Sequence, residues 1–337
     1  LNFSGNPILP KVVVFYGGND GILRAVNGNR TAPIEFSDGS EMSAGQEMWA
    51  FMAPEFFTKI KRLRDNNVEI NYNGSPTVTP TPEPKPYGMD GAITSYDNRW
   101  LFAGMRRGGR VLYAFDVSGI AASTPVPPTL KWKKGCPNLD DDLGCTTGFE
   151  DFGQTWSSAR ALKAAGYNVS GAGTEKPMLI MGGGYDKCED EDPVSDTCKS
   201  GGKGNGIYVL DADTGALLKM LPTERPVIGD VFVITETPPD DPDLSDDILP
   251  PLPLAKWAYA ADLGGNVYRI SGADQNSPFD ATSPGSWTIK KIASLGCATA
   301  APCTANRKFM FAPDVVEKDG IYYLLIGSGD REKPLDS

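Results

Sequence analysis

One pattern recurs along the chain: a β-rich run leads to a Gly-rich turn and a second short strand, in most copies ending in Asp or Asn near Gly. The first copy is Val12-Val-Val-Phe-Tyr-Gly-Gly-Asn-Asp-Gly-Ile-Leu-Arg-Ala-Val-Asn27-Gly28, and the second runs from Trp100 through Gly108-Gly109 to Asp116-Val-Ser-Gly119. The third joins Met178-Leu-Ile-Met-Gly-Gly-Gly184 to Gly206-Ile-Tyr-Val-Leu-Asp211-Ala-Asp-Thr-Gly215. The fourth runs from Trp257 through Asp262-Leu-Gly-Gly-Asn266 to Gly272, and a fifth begins at Tyr322-Tyr-Leu-Leu-Ile-Gly-Ser-Gly-Asp330. Tyr16, Ala103, Met181, Ala260 and Ile326 mark equivalent points, 66–87 residues apart. A unit of this kind is a small twisted sheet that cannot bury both faces alone, whereas sheets stacked around an axis bury them between neighbours.

The turn chemistry agrees. Glycine in the first hairpin permits a tight positive-φ turn, and the Asp of Asp211-Ala-Asp-Thr-Gly215 suits a side chain that bonds back to its own backbone. Outer-strand candidates are Glu47–Phe51, Leu130–Trp132, Ala216–Leu221 and Ser286–Lys291; strands ahead of a unit are expected at Thr155–Leu162, Val227–Ile234 and Phe309–Pro313. A four-stranded blade takes about 40–50 residues, so each unit carries an insertion: Gly28–Gln46, the Pro-rich Thr77–Pro86, three cysteine loops and Pro238–Pro253. The expected fold is all-β: a β-propeller with irregular blades and long insertions. Its blade-like units fall at about 1–75, 87–135, 150–222, 226–295 and 307–337, within one domain, or a fragment of one, over 1–337. A β-sandwich, the competing all-β fold, gives no reason for Gly/Asp punctuation at this period. One short surface helix interrupts the strands at Pro54–Arg64. Its apolar face, Phe56, Phe57, Ile60 and Leu63, is expected to pack on the propeller, with Lys59, Lys61, Arg62 and Arg64 in solvent.

Composition narrows the function. The chain holds no histidine, which removes Ser-His and Cys-His nucleophile pairs, His-based zinc sites and the commonest general base. A net charge of −11 argues against a nucleic-acid binder, which needs a basic stripe, and no apolar run approaches the ~18 residues that span a bilayer. Leu1 in place of an initiator Met, with no signal peptide, reads as the start of a processed or excised chain. The six cysteines fall in three close pairs, Cys136/Cys145, Cys188/Cys198 and Cys297/Cys303. Six cysteines allow 15 connectivities, and the short spacings favour local closure of each loop. No pair has C-x-x-C spacing, so disulfides in an oxidising compartment are the reading preferred over zinc or buried thiols.

Several segments, in order, resemble the C-terminal propeller domain of the PilY/PilC family of type IV pilus-associated proteins. They are Gly17-Gly-Asn-Asp-Gly-Ile-Leu-Arg-Ala-Val26, Gln46-Glu-Met-Trp-Ala-Phe-Met-Ala-Pro-Glu-Phe56, Gly108-Gly-Arg-Val-Leu-Tyr-Ala-Phe-Asp-Val117 and Ala261-Asp-Leu-Gly-Gly-Asn-Val-Tyr-Arg-Ile270. The resemblance covers about Val12 to Asp330. It departs at Leu23-Arg24-Ala25, where the family usually has Leu-His-Ala, and in blade number, which in the family is about seven; on that count the chain is too short for the ring and reads as incomplete. The resemblance implies a non-catalytic extracellular module exported through the periplasm to the cell surface and acting in pilus biogenesis, retraction control and adhesion. The partners it implies are minor pilins or a host or abiotic surface ligand, met by loops such as the acid-rich cysteine loops.

The resemblance also implies a calcium loop just before the segment at Ala258–Asn266. Asp241, Asp243, Asp246 and Asp247 stand there as calcium ligands. The stretch lacks the Gly of a sharp calcium-loop turn and contains Pro242, so a solvated acidic loop is the opposing reading. The acidic runs Asp140–Asp142 and Glu189–Asp192 invite the same pair of readings. Gly201–Gly206 has phosphate-loop composition without Gly-Lys-Ser/Thr or a following helix, and reads as a hairpin loop. Asp330 with Glu332 reads as turn chemistry rather than a catalytic pair. The turn at Asp211–Gly215 also occurs in quinoprotein dehydrogenase propellers that carry pyrroloquinoline quinone, the enzyme alternative; a periplasmic or outer-membrane assembly scaffold is the third reading.

Overall fold

Period-2 alternation decides which way each strand faces. In the computed structural model, which describes residues 1–3, 11–68, 70, 85–168, 174–190, 202–236, 252–279, 283–296 and 307–329, the strands gather into small antiparallel sheets taken in chain order. The first sheet holds β1 (Val13–Gly17), β2 (Ile22–Asn27) and β5 (Glu47–Met52), with a small β3 (Ile34–Glu35) and β4 (Glu41–Met42) hairpin inserted. Residues Leu1–Phe3 lie along its inner edge through Val13 N to Leu1 O and Phe3 N to Lys11 O. The second is β6 (Ile93–Tyr96), β7 (Trp100–Ala103), β8 (Arg110–Asp116) and β9 (Thr129–Cys136). The third is β10 (Arg160–Leu162), β11 (Met178–Gly182), β12 (Gly206–Asp211) and β13 (Leu217–Pro222). The fourth is β14 (Phe232–Thr235), β15 (Ala255–Ala261), β16 (Asn266–Ser271) and β17 (Thr288–Ser294), and a hairpin of β18 (Asp314–Lys318) and β19 (Ile321–Leu325) follows. The architecture is a β-propeller.

Adjacent blades share their cores. Leu101 and Ala103 of β7 face the first sheet and meet Leu23. Their neighbours Trp100 and Phe102 face the third and meet Leu179 and Met181 of β11. From β11, Met178 and Ile180 turn the other way, onto Ala258 and Ala260 of β15. The central strands of these three blades are therefore apolar on both faces, and β7, β11 and β12 are buried at every position. This run-on apolar pattern belongs to strands covered on both sides. By contrast, β1 and β19 alternate, with Val14, Tyr16, Ile321, Tyr323 and Leu325 exposed on their outer faces.

Three sequence expectations are corrected in detail. The segment after Ala53 is a 3-10 turn over Pro54–Lys59 that runs into the short α1 (Ile60–Asp65). With three residues per turn at its start, Phe56 and Lys59 align, and the apolar stripe expected of a single α-helix is broken. Phe56 is buried, whereas Phe57, Ile60 and Leu63 are exposed. Lys59 turns inward instead: its Nζ donates to Tyr87 O and Gly108 O and lies 5.0 Å from the Phe56 ring. The segment Phe309–Pro313 is not itself a strand; β18 starts after Pro313, which supplies no amide hydrogen for a ladder. Glu189, read as part of a solvated acidic run, has its side chain fully buried in an ion pair with Arg225.

The Asp and Asn punctuation is structural. Asn27 accepts from Asn29 N and donates to Ala32 O and Met42 O. Asp262, fully buried, accepts from Gly264 N, Asn266 N, Asn266 Nδ2 and Tyr268 OH; burial pushes its carboxyl up and these bonds oppose the rise. At Asp211, Oδ1 accepts from Asp213 N and Thr214 N while Oδ2 takes Tyr167 OH and Lys176 Nζ at 2.6 Å. Burial works to raise this carboxyl, yet the hydrogen bonds from Lys176, Tyr167 and Thr214 outweigh it and hold it at about 2. A depressed carboxylate stabilises the fold above its ordinary value near 3.8, and that contribution is lost as the pH falls toward the folded value. Asp211→Ala is therefore expected to lower stability by about 2–3 kcal/mol at neutral pH. In urea unfolding, its gap from the unsubstituted protein should narrow as the pH drops from about 4 toward 2.

Candidate functional site

Two regions of the propeller place chemistry at the surface. The first is the loop that leaves β9. Cys136 and Cys145 form a disulfide across a sequence separation of nine residues, and Cys188 is also disulfide-bonded. Cys198, Cys297 and Cys303 lie outside the described residues, as do the calcium candidates Asp241, Asp243, Asp246 and Asp247 and the pair Asp330 and Glu332.

Beneath the first cysteine loop sits Arg110, the residue that opens β8 ahead of an apolar run, and its side chain is only 3% exposed. Its five N–H groups meet five acceptors. Nε donates to Phe152 O at 2.7 Å, Nη1 to Asp141 O and Asn138 O, and Nη2 to Glu150 O at 2.7 Å and Asp142 Oδ1 at 2.9 Å. A guanidinium is the one side chain with enough donors, in a planar fork, to hold that many loop oxygens at once. Asp142 also accepts from Lys203 Nζ at 2.8 Å, and Lys187 bonds Asp140. Lys203 and Arg110 together hold the Asp142 carboxyl below its ordinary value. These two lysine–aspartate pairs join residues 140–142 to Lys187 and Lys203, the described residues on either side of the second cysteine loop. Glu189 anchors the second loop from behind, with both carboxylate oxygens on Arg225 Nη2.

The second region was not anticipated from the sequence. Segments 90–92, 156–158, 228–230 and 310–312, each just ahead of the first strand of its blade, converge with Arg106 on a cleft of about 590 Å³. Four successive blades contribute equivalent stretches, which places the cleft on the axis of the propeller. Gly91 and Gly229 allow the approach: a Cβ at Gly91 would lie 2.3 Å from the carbonyl carbon of Gly104, and one at Gly229 2.7 Å from that of Phe311. Arg106 takes a left-handed φ of 47° in the turn between β7 and β8, and its guanidinium lies 4.3 Å from the Trp156 ring. Asp230 accepts from both Ser158 N and Ser158 Oγ. Asp90 differs: its Oδ1 is buried without a hydrogen-bond partner among the described residues. Burial pushes that carboxyl up, against the nearby charges of Arg106, Arg107 and Lys85. The segments Asp90-Gly-Ala, Trp156-Ser-Ser, Ile228-Gly-Asp and Met310-Phe-Ala share no motif; only their position ahead of equivalent strands relates them, so the sequence carries no signal for this cleft.

No family model matches the sequence, and no curated protein sequence does. Among solved structures, the C-terminal domain of Pseudomonas aeruginosa PilY1 superimposes with a TM-score of 0.51 over 96% of this chain, at 19% identity. The chain has the fold of that domain. It spans about half of it, 54% of the PilY1 structure. Two further matches are a quinohemoprotein alcohol dehydrogenase from Pseudomonas putida (TM-score 0.35, 16% identity, 83% of this chain and 33% of that one) and BamB from Moraxella catarrhalis (0.28, 11%, 93% and 76%). At those scores neither carries an argument. No helix among the described residues is long and apolar enough to cross a membrane.

Removing the Cys136–Cys145 disulfide is expected to cost about 2.5 kcal/mol from the entropy of a loop this short, read as the shift in urea unfolding between the oxidised protein and its Cys136→Ser/Cys145→Ser variant. Arg110→Leu should cost about 3 kcal/mol or more, because it leaves loop carbonyls and the Asp142 carboxylate without their buried donor. Amide exchange of residues 137–151 should accelerate at least tenfold in that variant while exchange in β15 and β16 stays unchanged.

Proposed function

We propose that the chain is a non-catalytic, extracellular β-propeller module of a type IV pilus-associated protein, acting in pilus biogenesis, retraction control and surface adhesion. The observation that carries this reading is the likeness to the PilY1 C-terminal domain over nearly the whole chain, together with the ordered segments that resemble the same family. Disulfides at Cys136–Cys145 and at Cys188 support export to an oxidising compartment. The clamped acidic loop after β9 supports a binding role. A rigid scaffold that presents pre-ordered loops lowers the entropy cost of engaging a partner, and Arg110, the disulfide and the two lysine–aspartate pairs order this surface before any partner arrives. Its partners on this reading are minor pilins or a host or abiotic surface.

The test is genetic and biochemical. Deleting the coding segment from the source organism should reduce surface pili or attachment, and the purified chain should retain minor pilins in preference to outer-membrane proteins. Normal piliation together with normal attachment would falsify the proposal. Retention of outer-membrane proteins alone would favour the assembly-scaffold alternative.

A further inference from the structure

We propose that the axial cleft binds a carboxylate carried on an apolar stem, with the Arg106 guanidinium as the group that receives it. The inference rests on the cleft itself and not on the pilus reading. Arg106 occupies a backbone position that favours glycine. It stands three residues beyond Ala103, as Gly184 stands three beyond Met181. The two also make the same bond to the segment ahead of the next blade: Arg106 N donates to Thr155 O, and Gly184 N to Val227 O. Both take a left-handed φ, 47° at Arg106 and 101° at Gly184. Glycine enters that region freely, whereas a residue with a long side chain is strained there. Strain of this kind, at the wall of a cleft, points to a side chain kept for what it does.

The guanidinium is open to a ligand. Stacking on the Trp156 ring at 4.3 Å uses its face and leaves the N–H donors, which lie in its plane, unspent. Among the described residues those donors meet no hydrogen-bond or ion-pair partner. The side chain is half-buried in the cleft wall, and none of its nitrogens is closed off from solvent. The carboxylates of the cleft are placed otherwise. Asp90 Oδ1 is buried, and both Asp230 oxygens accept from Ser158. The charges of Arg106, Arg107 and Lys85 stand around Asp90, so an anion arriving on Arg106 meets more positive than negative charge there. The fork and the walls then select the anion. Two parallel N–H···O bonds from one guanidinium match a planar carboxylate, whereas a phosphate dianion would bring a second negative charge toward Asp230. Ile228, Met310 and the Trp156 ring supply apolar wall for the stem. The volume, about 590 Å³, falls in the range of small-ligand sites, which set a few polar groups in mostly apolar walls.

Titration calorimetry on the full chain tests this with hexanoate, with N-acetyl-leucyl-leucine bearing its free carboxylate, and with the amides of both. The two acids should bind saturably at one site while their amides give no heat. Tighter binding of the dipeptide assigns the cleft to a polypeptide chain end; tighter binding of hexanoate assigns it to a free organic acid. Arg106→Gly should weaken binding of the acids at least tenfold with an unchanged far-ultraviolet circular dichroism spectrum, because the equivalent turn already holds Gly184. Arg106→Lys keeps the charge without the planar fork and should weaken binding at least threefold. No saturable heat from either acid, amides bound as tightly as the acids, or undiminished binding by either variant would overturn the proposal and leave Arg106 as a solvated cap on the Trp156 ring.

Discussion

Each blade buries its apolar faces against the blade before it and the blade after it, and nearly everything else follows from that pairing. A sheet covered on both sides has no polar face to spare, so β7, β11 and β12 are buried at every position, with Asp211 at the end of β12 their one charged residue, and polar residues collect at turns and outer strands. Close stacking also brings backbones together where the blades meet, which is why glycines recur at strand ends rather than within strands. The carboxylates buried at the blade turns, Asp211 and Asp262, survive because each turn saturates them with donors, and the buried Glu189 because it pairs with Arg225. Chemistry is therefore pushed to two places: the loops outside the stack and the axis where the blades converge.

The cysteine-loop surface and the axial cleft use opposite strategies for polar groups. Around Arg110 every donor has an acceptor, so the loop is held in one shape and presents a defined outer face. In the cleft, Asp90 Oδ1 has no hydrogen-bond partner among the described residues, although the charges of Arg106, Arg107 and Lys85 stand close by. Saturation rigidifies, whereas a buried acceptor without a partner costs stability. Both arrangements depend on the same scaffold, since Arg110 and Arg106 sit at the beginning of β8 and in the turn that precedes it.

The repeat was legible because it is local. Gly-rich turns, closing Asp or Asn residues and apolar runs all fall within stretches of about twenty residues, and they pointed to a propeller and to the strand pairs within each unit. The short Cys136/Cys145 loop was readable for the same reason. The helix face was not, because a change of pitch between Lys59 and Ile60 cannot be seen in a hydrophobic pattern that assumes one period. Glu189 looked like a surface acid because its partner Arg225 lies 36 residues away. The cleft was the least legible: its walls come from four segments separated by most of a blade each, and only the closure of the blades toward their axis brings them together. Arg110 could have been found, as a charge at the head of an apolar strand that must be paired once buried.

The disulfide has a mechanical meaning as well. It ties the end of β9, an outermost strand, to a point nine residues further on, while each blade holds only to its neighbours. A tension applied along the chain would peel blades in sequence, yet it could not draw out the stretch between Cys136 and Cys145. About 30 Å of contour stays locked until the bond is reduced, and the loop surface above Arg110 keeps its local closure after the strand that carries it has begun to yield.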